Sequence, residues 1–192
     1  MIEYLSKLDQ SIFLTINGAH NTFFDYIMWW ASGKLTWLPL YLFLIWLLYK
    51  KAGKAVWIYL IALFLLILMS DQVSVFIKNL TERFRPCHNE ELKGMVHLLK
   101  NKCGGKYGFV SSHAANTFAL ATFIILTLRK QYLVILMLSY AILVSYSRVY
   151  LGNHYPFDVL GGALLGIICG FFIYYITNIA YIRFKPKSHA HH

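Results

Sequence analysis

Residues 55–86 read "AVWIYLIALFLLILMSDQVSVFIKNLTERFRP", an apolar run that ends in basic residues and a proline. Between Ala55 and Ile77 the only acidic or basic residue is Asp71. A helix needs about 20 apolar residues to cross a bilayer, so this stretch is long enough to span one. Directly after it come Lys78, six further residues, then Arg85 and Pro86. Lys78 and Arg85 are two helical turns apart and share a face if the helix continues, with Pro86 marking its end. Paired cations at a membrane boundary are ordinarily snorkelling residues, so this cluster alone assigns no chemistry.

The surrounding sequence supports a membrane reading. Of 192 residues, 58% are hydrophobic and 14% charged, and the mean hydropathy is +0.54. That is too apolar for a water-soluble domain of this length and too short for several domains. Residues 1–187 therefore read as one membrane-embedded domain, with 188–192 ("SHAHH") set aside as a disordered tail or tag remnant. Further apolar segments run from Thr36 to Tyr49, Ala114 to Leu128, Tyr132 to Tyr146 and Phe157 to Ile182. The Thr36 segment is expected to begin earlier, among Trp29, Trp30 and Trp37, which suit an interface. The Ala114 and Tyr132 segments reach spanning length only if their flanking polar residues are helical. The expected fold is an all-α membrane bundle of five transmembrane helices, or six if residues 23–49 divide. Leu5, Leu8, Ile12 and Ile16 recur at helical spacing, so residues 2–17 read as an amphipathic interfacial helix. Glu3 and Asp9 interrupt this segment, and no signal peptide is expected.

Charge gives an orientation. Lys50, Lys51, Lys54, Arg129, Lys130, Arg183, Lys185 and Lys187 gather at one side of such a bundle with no acidic residue among them. The positive-inside rule makes that side cytoplasmic. All eight acidic residues fall toward the other side. The net charge of +10 is thus read as topology, and no nucleic acid or protein partner is expected. Lys78, Arg83, Arg85 and Arg148 on the outer side run against the rule, and a bound anion is the simplest reason to keep them there.

Two more polar clusters lie at span ends. "FVSSHAANTF" (109–118) opens the third span: Ser111 or Ser112 suits a helix cap, and His113 falls in the first turn. A helix N-terminus presents free N–H groups and favours an anion. "SRVYLGNHYPFD" (147–158) joins the fourth and fifth spans. In it Asp158 follows His154 by four residues, where a carboxylate can orient an imidazole. An up-and-down bundle brings all three clusters to one side. Two histidines, a carboxylate, serine hydroxyls and several cations meeting there are the parts of a phosphoryl-transfer site.

The three clusters resemble the motifs of the type 2 phosphatidic acid phosphatase superfamily, the integral-membrane lipid phosphate phosphatases. K-x6-R-P is complete at Lys78, Arg85 and Pro86, and S-R-x5-H-x3-D at Ser147, Arg148, His154 and Asp158. The middle motif, P-S-G-H in the family, reads Val110-Ser111-Ser112-His113. The resemblance implies a phosphatase that works without metal or other cofactor. His154 would attack phosphorus and carry it as phosphohistidine, oriented by Asp158. His113 would protonate the leaving oxygen and then activate water. Lys78, Arg85, Arg148, Ser111 and Ser112 would hold the phosphate oxygens. The substrate would be a lipid phosphate within the membrane: undecaprenyl diphosphate or a lipid A phosphate, with phosphatidylglycerol phosphate or phosphatidic acid as alternatives. A transporter or flippase would explain the cations but not the two histidines.

Three features complete the expectations. Residues 87–109 form a long outer loop in which "LKGMVHLLK" (92–100) has the spacing of a short amphipathic helix on the membrane surface. Cys87 and Cys103 lie in this loop on the oxidising side and are expected to pair. Asp71, seven residues before Lys78, is expected to form a supporting ion pair with it. Gly162, Gly166 and Gly170 permit close helix approach.

Overall fold

The computed structural model describes residues 2–184 and is helical throughout, with no β-strand among the described residues. Its seven α-helices are α1 (Ile2–Gly18), α2 (Thr22–Ser32), α3 (Leu38–Ala52), α4 (Val56–Thr81), α5 (Ser112–Leu128), α6 (Gln131–Tyr150) and α7 (Pro156–Phe184). Three helical stretches are long and apolar enough to cross a membrane: Leu35–Thr81, which contains α3 and α4, then Gln131–Tyr150 and Pro156–Phe184. With α3, α4, α6 and α7, the shorter apolar α5 makes the expected five. The 188–192 tail lies outside the described residues.

Residues 23–49 do divide, but not into two spans. Gly33 ends α2, its N–H bonded to the Trp30 carbonyl at 2.9 Å. At about 1.5 Å per residue the 11-residue α2 is only half a bilayer long. The helical stretch that carries the first span starts at Leu35, between Trp30 and Trp37 as expected.

The helices face outward with apolar side chains. On α4 Ile61, Phe64 and Leu80 are exposed, and on α7 Leu160, Leu164 and Ile182. Hydrocarbon is the solvent such surfaces require. Inside, α5 is the central helix and is buried along its length through Ala114, Ala119, Phe123 and Ile124. It lies closest to α7, where the three glycines act. A Cβ on Gly162 would strike the Ser111 carbonyl, and one on Gly166 the Ala115 carbonyl. Close backbone approach of α7 to α5 is what their spacing provides.

The amphipathic reading of α1 holds in an unexpected way. Its face toward the protein is Asp9, Phe13 and Asn17, each fully buried. The apolar stripe of Leu5, Leu8 and Ile12 stays exposed, as a helix at a lipid interface would leave it.

The long loop is not an amphipathic helix on the membrane. Gly94 turns with φ +81°, and only short 3-10 turns form around Glu90–Leu92 and Leu99–Asn101. The loop is pinned to the N-terminal helices instead. The Asn17 side chain bonds the His97 backbone twice, at 2.8 and 2.9 Å, and His97 Nε2 lies 3.0 Å from Asp25. Cys87 and Cys103 are joined by a disulfide.

Candidate active site

The site residues lie at helix ends or in the loops that join them. Ser111 caps α5: its Oγ accepts from Ala114 N at 3.5 Å, and its own N–H donates to the Asp158 carbonyl at 2.8 Å. The cap ties the start of α5 to the start of α7 and occupies the Ser111 hydroxyl. Ser112 and His113 follow in the first turn, where amides have no partner within the helix. Ser112 Oγ receives the Lys78 ammonium at 2.6 Å and lies 2.6 Å from Ser74 Oγ.

Helix α4 stops at Thr81, with Glu82 in the left-handed region at φ 48°. Arg85 is therefore not on a helical face shared with Lys78. It sits in extended backbone that pairs Phe84 with Tyr107. Its Nε donates to the Tyr107 carbonyl at 3.1 Å, and one terminal nitrogen reaches the Asn153 carbonyl at 3.3 Å and His154 Nε2 at 3.2 Å. The two cations converge on one place from different backbone directions.

That last contact assigns the histidine tautomer. A guanidinium can only donate, so His154 Nε2 is the acceptor and the ring proton sits on Nδ1. Asp158 Oδ2 is 3.5 Å from Nδ1, an ion-pair distance rather than a closed bond, and the Gly108 backbone also bears on the ring and favours its protonated form. The His154 ring is 1% exposed. Burial, followed by the charges of Arg85, Arg148 and Lys78, holds its protonation well below the ordinary 6.5. The result is a neutral imidazole with its lone pair at Nε2, aimed at a cation. Burial also lowers the Arg85 pKa, with Asp158 opposing.

Arg148 reaches the same region from α6. Its side chain donates to Ser32 Oγ at the end of α2, while its Nε is buried without a partner. Its carbonyl accepts from Asn153 N and His154 N at 3.0 and 3.2 Å, which fixes the loop carrying His154. His113 lines a cavity of about 380 Å3 among α3, α4, α5 and α6, walled largely by apolar side chains such as Trp37, Leu44 and Tyr140. A second cavity of about 500 Å3 contains Arg148, Asn153 and Lys102, and the two share Ser32 and Gly33.

Some partners differ from expectation. Asp71 makes no ion pair with Lys78. It receives the Asn116 amide at 3.5 Å and lines the His113 cavity, because Lys78 turns to Ser112 and Ser74. In the 87–109 loop, Lys100 and Lys102 lie over the Trp29 ring, and Lys106 over Phe84 and Tyr107. Sequence reasoning missed Lys34, which lines the His113 cavity. It also missed the connections of Arg83, which binds Asp158 at 2.7 Å and Asp9 at 2.6 Å. Arg83 hides in the interval between Lys78 and Arg85. Asp9 had a signal, the i, i+4, i+8 stripe it makes with Phe13 and Asn17.

A membrane bundle that gathers two histidines, a carboxylate and several cations at one end has the build of an integral-membrane lipid phosphatase, a phosphoric ester hydrolase. Residues 55–181 match the PAP2 superfamily, and the chain belongs to that family. It is similar to a lipid A 4'-phosphatase of Bacteroides thetaiotaomicron, at 39% identity over 98% of this chain and 85% of that protein. A lipid A 4'-phosphatase of Porphyromonas gingivalis is 34% identical over 97% of this chain and 80% of its own length. The crystal structure of Aquifex aeolicus LpxE shares the fold with a TM-score of 0.67 and 29% identity, covering 86% of this chain and 94% of that one.

Proposed function

We propose that this protein removes the 4'-phosphate of lipid A through a phosphohistidine, at the outer face of a bacterial inner membrane, with residues 1–187 acting as one domain. The observation that carries the chemistry is the Arg85–His154 contact, which leaves Nε2 unprotonated and beside a cation. An arriving phosphate takes the Arg85 donors onto its oxygens and frees Nε2 to attack phosphorus. As the N–P bond forms, the bond from phosphorus to the sugar oxygen breaks, and His113, which takes up a proton once the phosphate anion lies beside it, gives that proton to the oxygen. Asp158 steadies the positive ring through Nδ1. Water then attacks phosphorus and gives a proton to His113. The N–P bond breaks and inorganic phosphate leaves.

Lys78, Arg148 and Ser112 are suited to the phosphate oxygens, the buried unpaired Nε of Arg148 most directly. Ser111 serves as the cap. The two cavities, which share Ser32 and Gly33 in their walls, suit an amphiphile, with a charged part near Arg148 and an apolar part beside His113. Relatives that match nearly the whole chain support lipid A as substrate, and the bundle end rich in Lys50, Lys51, Arg129 and Arg183 suits the cytoplasmic side.

The test is phosphate release by purified protein in EDTA from bis-phosphorylated lipid A, undecaprenyl diphosphate and phosphatidic acid, with mass spectrometry of the lipid products. Faster turnover of lipid A, with loss at the 4' position, is expected. Preference for undecaprenyl diphosphate would overturn the substrate, and a requirement for added divalent metal would overturn the mechanism.

A further inference from the structure

The K-x6-R-P interval contains a second arginine whose contacts lead away from the phosphate site. Arg83 spreads its guanidinium between two buried carboxylates, with one terminal nitrogen 2.7 Å from Asp158 Oδ1 and the other 2.6 Å from Asp9 Oδ2. Both carboxylates are fully buried, whereas the Arg83 side chain is 28% exposed. The guanidinium lies 4.5 Å over the Tyr155 ring, which meets Phe13 of α1 edge-on at 5.5 Å. The second oxygen of Asp9 accepts from Phe157 N at 2.9 Å. Asp9 thus caps the first turn of α7 from another helix. That turn begins two residues after His154 and carries Asp158.

We infer that Asp9 and Arg83 are positioning residues for the reaction: held by Asp9, the Arg83 fork fixes Asp158 Oδ1 so that Oδ2 faces His154 Nδ1. The inference rests on the reading of His154 as nucleophile. Among the described residues Arg83 alone hydrogen-bonds Asp158 Oδ1, and Oδ2 is shared between Tyr155 N at 3.0 Å and the imidazole. Rotation of the carboxylate would withdraw it from the ring. Asp9 lies outside residues 55–181, the part that matches the family, so α1 would be part of the catalytic apparatus here rather than only a membrane anchor. Gly108 fits the same design, since a Cβ there would come within 2.8 Å of Asp158 Oδ2.

The pair also sets charge. The ionisable groups that bear on His154 are Lys78 of α4, Arg85 of the following loop, His113 of α5, Arg148 of α6 and Asp158 of α7. Those bearing on Asp158 are Arg83, Arg85, Asp9 and Tyr155. Arg83→Gln removes a cation and leaves the Asp158 charge less neutralised. Protonated His154 becomes easier to form, and the acid limb of kcat/KM moves to higher pH. Asp9→Asn removes an anion and gives Arg83 wholly to Asp158, so the limb moves to lower pH. Asn keeps an oxygen for Phe157 N. Arg83→Lys keeps the charge but cannot fork, so kcat should fall while the limb stays in place.

The experiment measures pH profiles of kcat and KM on bis-phosphorylated lipid A for wild type, these three variants and His154→Ala, with thermal melts of each. A kcat loss of about 10- to 100-fold is expected from disturbed support of a reacting group, with KM little changed and the limbs of Asp9→Asn and Arg83→Gln moving in opposite directions. Limbs that do not move, or that move together, would overturn the inference. If Asp9→Asn does not fold, the partly exposed Arg83 supplies the decision: Arg83→Gln must raise the limb and Arg83→Lys must not. Turnover surviving in His154→Ala overturns the nucleophile reading itself, whereas a dead His154→Ala beside normal Asp9 and Arg83 variants overturns only this inference.

Discussion

Breaking the Cys87–Cys103 disulfide should weaken both the fold and the hold on Arg85. The bond closes a loop of sequence separation 16. Releasing a loop of that length gives the unfolded chain back entropy worth roughly 3 kcal/mol at 25 °C. For a chain of this size that corresponds to a melting temperature lower by roughly 6–12 °C, at about 2–4 °C per kcal/mol. The same loop grips the arginine. Lys106 and Tyr107 carbonyls each accept from Arg85 at 3.1 Å, and Gly104 lies so close that a Cβ would come within 2.6 Å of the guanidinium. Because Arg85 is proposed to bind the ground-state phosphate as well as to stabilise developing charge, KM should rise and kcat/KM fall. The assay compares Cys87→Ser/Cys103→Ser with wild type, each with and without reductant, by thermal melting in detergent and by lipid A kinetics. Reductant should affect only wild type. A double variant that melts and binds like the oxidised parent would refute the reasoning.

Four further outcomes follow from the same geometry. Acid-quenched enzyme turning over 32P-labelled lipid should carry acid-labile label on His154, and label persisting in His154→Ala would remove it as nucleophile. His113→Ala should cost about 10²- to 10⁴-fold on lipid A but far less on an aryl phosphate whose leaving group needs no proton; equal losses would contradict its acid role. Gly166→Leu drives a side chain at the Ala115 carbonyl and should destabilise by about 1–3 kcal/mol through overpacking, so an unchanged melt would show that α5 and α7 are free to separate. Because burial and then Arg85 keep His154 neutral well below 6.5, kcat/KM should stay level as pH falls through 6.5, with its acid limb beneath. The linkage has a definite sign: this group costs no stability above 6.5, but below it the unfolded chain takes up a proton that the folded ring refuses, and stability falls. An acid limb above 6.5 would count against a buried neutral ring.

The bundle was legible because hydropathy reports what faces lipid, and α4 and α7 carry long apolar runs. The meeting of Lys78, Ser112, Arg85, His154 and Asp158 was legible because up-and-down topology turns sequence position into a choice of membrane face. What stayed hidden was side-chain direction. Spacing alone cannot show that Glu82 breaks the helix and sends Arg85 around to His154, or that Lys78 prefers Ser112 to Asp71. The amphipathic pattern of residues 92–100 misled because the same apolar residues serve a loop pressed on protein, with Leu92 buried there, as well as a helix on lipid. The stripe of Asp9, Phe13 and Asn17 was overlooked for a related reason: an acidic residue on a surface helix reads as solvated until its partner is known.

The segment before residue 55 therefore has more to do than anchor. The cavity beside His113 is walled partly by Trp37, Tyr41 and Leu44, and Lys34 lies on it, all outside the stretch that matches the family. The proposed motif residues lie within 78–158, while α2 and α3 add walls to the cavity proposed to receive the rest of the lipid. Lys34→Ala tests this division. An exposed cation that pairs with a charged headgroup contributes roughly 0.5–1 kcal/mol, so kcat/KM on lipid A should fall about two- to five-fold. An aryl phosphate, which has no second charged group, should be hydrolysed at the parental rate. Parallel losses on both substrates would place Lys34 in the phosphate site and return substrate selection to the motif residues themselves.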